Sequence, residues 1–242
     1  ILAKGGPHPG VGNSLYYNYR KDEVVYRKDA NIHDFDENRE NNLKIGGTDG
    51  NTVEFWLRKD AFVSDQDYFE FVVDAHVTGT VRNDAAYGRL TVALATTGTL
   101  NNDANQPIMV TYSSGSSNFT TYMGNTSGSN TLTTSSIADG KWHHYAIRLK
   151  TTGSNTIIDL FVDGKHNDLD LQVGTTIGYV SGAIVATIGS QAAAFSAGGS
   201  DRGSRGWSKL SGSLDEVRYW KTFRSSKKIQ RYWFAQVGGG TN

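Results

Sequence analysis

Thr52-Val53-Glu54-Phe55-Trp56-Leu57-Arg58 sets Val53, Phe55 and Leu57 on one face of an extended chain and Glu54, Trp56 and Arg58 on the other. Side chains alternate across a strand, so this period of two predicts a half-buried strand. Similar runs stand at Tyr68–Ala75, Leu90–Ala95, Pro107–Tyr112, Asn118–Met123, Trp142–Leu149, Thr156–Val162, Ile184–Gly189 and Gly212–Trp220. Turn residues separate them: Asp49-Gly50, Gly98, Gly128, Asp139-Gly140, Asp163-Gly164 and Gly198-Gly199. Asp163-Gly164 follows Ile157–Val162 directly and predicts a two-residue hairpin, because a type I′ turn needs positive φ at both central positions. Roughly a dozen short strands without helices between them argue against parallel βαβ units. They predict an all-β fold, a two-sheet antiparallel β-sandwich.

Composition agrees. Among 242 residues there are 28 Gly but 3 Pro, and 12 Tyr, 10 Phe and 5 Trp, which suits many short strands joined by tight turns. A chain this long can bury a sizeable core unaided. Lys+Arg and Asp+Glu each number 24, so no excess positive field draws the whole protein to nucleic acid or an anionic membrane. No Cys is present, which excludes disulfides, Cys-based zinc sites and a thiol nucleophile. No apolar run approaches the ~20 residues of a membrane-spanning helix, so no membrane insertion is expected.

Three segments are expected. Residues 1–42 are irregular, with candidate short strands at Leu15-Tyr16-Tyr17 and Val24-Val25-Tyr26. Residues 43–237 form the sandwich. Residues 238–242 read as a linker, and with a start at Ile1 they suggest a piece of a longer chain. One short C-terminal helix is expected from an N-cap at Ser225, through Arg231 or beyond, without a capping box because Lys228 stands where the acid would be.

Two further segments carry a family resemblance. One is Asp139-Gly140-Lys141-Trp142-His143-His144-Tyr145-Ala146-Ile147-Arg148-Leu149, followed by Leu160-Phe161-Val162-Asp163-Gly164-Lys165. The other is Leu210-Ser211-Gly212-Ser213-Leu214-Asp215-Glu216-Val217-Arg218-Tyr219-Trp220, then Arg224-Ser225-Ser226-Lys227-Lys228-Ile229. With Val53–Arg58 upstream, the chain resembles the LamG-like jelly roll of the concanavalin A-like lectin and glucanase superfamily, over residues 43 to 234. That fold carries lectins, adhesion modules, glycanases and passive spacers, so it constrains function loosely. The chain is also similar to LamG-containing structural proteins of marine tailed phages. The resemblance implies a non-catalytic recognition or adhesion module on an extracellular or virion surface. It would bind a glycan or host surface receptor beside neighbouring domains or subunits. A purely structural assembly module is the alternative, and a glycan-active enzyme the third reading.

Glycoside hydrolysis requires two carboxylates about 5 Å apart for retention, hence spaced to share a strand face. Asp215-Glu216 are adjacent and expected on opposite faces, whereas Asp34, Asp36 and Glu40 have the spacing but sit in a polar, loop-like stretch. His143-His144 are likewise adjacent, so one is expected packed or hydrogen-bonded and the other solvated. An EF-hand at Asp34 is rejected, since Arg39 and Ile45 replace the required Gly and Glu. The resemblance implies instead a structural Ca²⁺ on Asp215; the alternative is that Asp215 accepts backbone hydrogen bonds. For glycan contact, an aromatic face and planar polar groups are needed. Arg202, Arg205 and Trp207 supply these within Asp201–Trp207, and Tyr112 and Tyr122 could add aromatic faces at strand ends; ordinary packing is the alternative for each. Lys221, Arg224, Lys227, Lys228 and Arg231 form a basic terminal cluster, readable as a solvated helix face or as a site for a phosphate or acidic partner.

Overall fold

The computed structural model describes residues 43–62, 69–77, 85–95, 106–180, 184–191 and 209–235, with the backbone of 2–4, 13–17, 195–197 and 200–202. Its elements in chain order are β1 (Leu2–Lys4), β2 (Asn13–Tyr17), β3 (Asn51–Arg58), β4 (Phe69–Val77), β5 (Gly88–Ala95), β6 (Ile108–Ser114) and β7 (Ser117–Met123). There follow the single turn α1 (Thr134–Ile137), β8 (Trp142–Thr152), β9 (Asn155–Val162), β10 (Lys165–Gln172), β11 (Ile184–Ile188), β12 (Phe195–Ala197), β13 (Ser200–Arg202), β14 (Gly212–Trp220) and α2 (Ser226–Tyr232).

These strands build the expected sandwich. One sheet has seven strands in the order β1-β2-β14-β3-β8-β9-β10, and the other five in the order β11-β4-β5-β6-β7, all antiparallel. β12 and β13 pair with each other. The irregular N-terminal stretch thus contributes to the sheet: Leu15 of β2 stands opposite Leu214 of β14. Val24–Tyr26 lies outside the described residues.

The core lies between the sheets. Val53, Phe55 and Leu57 meet Tyr145, Ile147, Leu149, Ile158 and Leu160 in one sheet and Val73, Leu90, Val92, Val110 and Tyr112 of the other. Phe55 and Tyr145 stack with centroids 5.4 Å apart. A buried ion pair ties the layers: Lys59, just past β3, donates to Glu70 of β4 at 2.8 and 2.6 Å, and Glu70 also accepts the Ser211 N–H at 2.8 Å. Both side chains are fully buried, so each charge depends on the other.

The hairpin at Asp163-Gly164 forms as expected, with φ of 49° and 72°. The Ser225 side chain caps α2 by accepting the Lys228 N–H. Two expectations change. β3 is buried on both faces rather than half-buried, because the chain after β14 folds back across the outer face of the seven-stranded sheet. Asp215 and Glu216 do not simply alternate: a bulge falls between Asp215 and Arg218, and Glu216 takes a φ of 49°.

Candidate functional site

The outer face of the seven-stranded sheet is where chemistry gathers. Register places Asp215, Trp56 and His144 side by side across β14, β3 and β8. One step along, Glu54 stands beside Arg218 and Ala146. The segment 221–235 covers this face because each of its turns finds a partner there. Thr52 Oγ1 donates to the Thr222 carbonyl and accepts the Arg224 N–H. Arg224 pairs with Glu54 and lies 4.3 Å from the Trp220 ring. Arg148 is held between the Phe161 and Phe223 rings, donates to Asp159 at 2.8 Å and donates to the Arg224 carbonyl at 2.7 Å. Ile229, the buried residue of α2, packs on Ala146 and Phe161. Arg218 then donates to the Ala235 carbonyl, fastening the end of the segment.

This strap delivers an aromatic ledge. Trp233 packs over Trp56 at 5.4 Å and beside His144 at 6.1 Å, while Trp56 and His144 meet edge-on at 5.6 Å. Phe234 stands perpendicular to Trp233, centroids 5.8 Å apart, and is 57% exposed; Tyr232 is 47% exposed. Beneath the ledge the polar groups are crowded but incompletely matched. Glu54 Oε2 lies 3.8 Å from His144 Nε2 and 3.7 Å from Arg218, beyond hydrogen-bonding reach. That oxygen, both His144 ring nitrogens and the Trp220 indole N–H find no hydrogen-bond partner among the described residues. Burial pushes the Glu54 carboxyl up, but His144 and Arg224 outweigh it and hold the pKa below the usual value.

An acid–histidine cluster adjoins the ledge through the Asp163-Gly164 turn. A Cβ on Gly164 would lie 2.2 Å from Trp233, so the turn backs directly onto that ring. Asp163 Oδ1 accepts the His144 N–H at 2.8 Å, and its Oδ2 lies 2.8 Å from His143 Nδ1. The other nitrogen of His143 is 3.3 Å from Asp139. The hydrogen bond to Asp163 outweighs burial and raises the His143 pKa. Burial pushes the Asp139 carboxyl up, but the Lys141 N–H and His143 outweigh it and hold it low. The histidine pair thus divides as expected: His144 is buried, and His143 is hydrogen-bonded at the partly exposed rim.

The residues singled out from sequence do not form one site. Tyr112 is fully buried, its hydroxyl donating to the Asn51 side chain at 3.0 Å and the Gly46 carbonyl at 3.2 Å, so it is a core residue that offers no surface. Tyr122 lies on the outer face of the opposite sheet, stacked on Phe69 and packed with Ala93 and Met109. Arg202 is placed by backbone alone in β13, and Arg205 and Trp207 lie outside the described residues, as do Asp34, Asp36 and Glu40. Asp215 is on the ledge face, where its Oδ1 accepts the next residue's N–H at 2.8 Å. Among the described residues no three His, Cys, Asp or Glu side chains are grouped to hold a metal ion, so any ion at Asp215 would rest on this one carboxylate and backbone oxygens. Trp233 and Phe234 escaped the sequence reading; the aromatic run Tyr232-Trp233-Phe234 after a capped helix was the available signal.

A family model described as the concanavalin A-like lectin/glucanases superfamily, Laminin_G_3, matches residues 35–230. No curated protein sequence matches the chain. Among solved structures, similar ones include the heptameric SAP-like pentraxin of Limulus polyphemus: 10% identity, 78% of this chain and 71% of that one, TM-score 0.45. Another is the CBM40 of the Ruminococcus gnavus IT-sialidase: 12% identity, 76% and 83% covered, TM-score 0.44. Domains LG4-5 of the mouse laminin α1 chain show 12% identity, 73% and 36% covered, TM-score 0.39.

Proposed function

For a chain that belongs to the concanavalin A-like lectin/glucanase superfamily, we propose a non-catalytic recognition role: this domain binds a glycan on an extracellular or virion surface, through the Trp233–Phe234 ledge. One observation carries the reading. The ledge offers an exposed aromatic face, Phe234, held at right angles to a Trp233 ring that is itself wedged on Trp56 and His144. A sugar ring presents a C–H face and a rim of hydroxyls. A fixed aromatic plane takes the first at little entropic cost, and the partly exposed carboxylates of Asp139 and Asp163 nearby take the second. Asp163 and Asp139 are each engaged by His143, and they serve this reading as fixed acceptors rather than as a free acid and nucleophile.

Glycan-array binding by the whole chain, compared with Trp233→Ala and Phe234→Ala, tests this. Binding weakened at least tenfold by Phe234→Ala with the fold retained is expected. Binding indifferent to both substitutions contradicts the ledge assignment.

A second reading has its own observation. Leu169 and Leu171 of β10, the last strand of the seven-stranded sheet, and Val173 just past its end, 56%, 45% and 74% exposed, form an apolar stripe. Such a stripe suits a protein contact within an assembly. A stable oligomer by light scattering, with no glycan bound, would favour it.

A further inference from the structure

Charge is distributed very unevenly along this neutral chain. The last 26 residues contain six of its 24 Lys and Arg and none of its 24 Asp and Glu. Two of the six are neutralised within the fold: Arg218 pairs with Glu216 at 2.9 Å, and Arg224 pairs with Glu54. Lys227, Lys228 and Arg231 on α2 are exposed, and among the described residues none of the three side chains makes an ion pair or hydrogen bond. Elsewhere in the fold the buried cations are matched, as Lys59 is by Glu70, Arg89 by Asp74 and Arg148 by Asp159.

The placement also runs against helix chemistry. Lys227 and Lys228 occupy the first turn of α2, which holds no acid. The N-terminal end of a helix carries partial positive charge and favours Asp or Glu there. Lys228 takes the position at which an acid would complete the cap begun by Ser225. Residues that break a local rule without internal compensation commonly answer to a functional demand. The ridge is extended by the exposed Tyr232 and Phe234 at its far end.

We propose that this ridge selects acidic polysaccharides: Lys227, Lys228 and Arg231 meet carboxylate or sulfate groups on successive sugars, while Tyr232 and Phe234 take the ring faces. The inference rests on the glycan-binding reading above and names its ligand class. Aromatic faces beside the cations favour a sugar chain over a bare polyanion.

The test uses the full chain with four probes: polygalacturonate, dextran sulfate, unsulfated dextran and a DNA duplex. Charge-reversed Lys227→Glu/Lys228→Glu/Arg231→Glu is compared with wild type after circular dichroism confirms folding. The expected result is binding to polygalacturonate or dextran sulfate that weakens at least tenfold on charge reversal. It should also weaken about 10- to 50-fold between 50 and 200 mM salt, as release of two or three counterions implies. Which acidic chain binds tells carboxylate from sulfate. Acidic-chain binding unchanged by charge reversal, or a duplex bound as tightly as either acidic glycan, overturns the inference. Neutral glycans bound as well as acidic ones also overturn it, while leaving the glycan-binding reading intact. If no glycan binds at all, both fail.

Discussion

Trp233 sits on Trp56 with ring centroids 5.4 Å apart, and the two residues are joined through neither sheet pairing nor sequence proximity. The contact clamps the C-terminal segment to the seven-stranded sheet and sets the plane of the ledge. Trp233→Ala should therefore lower stability by about 1–3 kcal/mol, below the range for a fully buried aromatic because Trp233 is half-buried. Urea unfolding followed by circular dichroism measures this. A variant as stable as wild type would show that the segment is not fastened there.

Gly164 is constrained twice. Its φ of 72° disfavours a side chain, and a Cβ would collide with Trp233. Gly164→Ala should cost about 1–3 kcal/mol and displace the indole. A changed tryptophan emission spectrum beside an unchanged far-ultraviolet spectrum is the expected signature. An unaltered emission maximum would contradict the packing of that turn against Trp233.

The His143 clamp predicts a dependence on pH. Imidazolium can donate to Asp163 and Asp139 together, whereas the neutral ring can donate to one of them. The folded-state pKa lies above the unfolded value near 6.5, so this stabilisation is complete below about pH 6.5 and is lost as pH rises through the folded value. The ring is partly exposed, so the loss should be no more than about 1 kcal/mol. Melting temperature followed from pH 6 to 9 should decline in wild type and flatten in His143→Gln. Equal slopes in the two proteins would remove the clamp from the account.

The Lys59–Glu70 pair predicts a double-mutant result. Lys59→Met leaves a carboxylate buried without its cation and should cost about 3–5 kcal/mol. Adding Glu70→Leu should recover most of that loss, less the hydrogen bonds both residues make to Ser211. Urea midpoints of the single and double variants measure the coupling. Additive losses would mean that the two charges are not interdependent.

Much of the fold was legible because it is written in short-range chemistry. Alternation from Thr52 to Arg58 defines β3, Asp163-Gly164 the hairpin and Ser225 the helix cap, and each needs only neighbouring residues to be read. The ledge was not legible for the opposite reason. Glu54 and Arg224 are 170 positions apart, and nothing local to Glu54 reveals that a C-terminal strap will bury it. The same holds for Tyr112, whose strand-end position suggested exposure. Gly46 and Asn51, from a distant loop and strand, close over its hydroxyl and make it core. The basic cluster was visible as composition, yet the division between Arg224, paired with Glu54, and unpaired Lys227, Lys228 and Arg231 needed the packing of the strap.

The placement of the recognition surface is tested most directly by amide hydrogen exchange on the whole chain, with and without a saturating glycan identified from the array. The account predicts new protection in residues 225–235, accompanied by the Asp163-Gly164 turn beneath Trp233. Protection confined to β4–β7, on the opposite sheet, with none along the C-terminal segment, would contradict it.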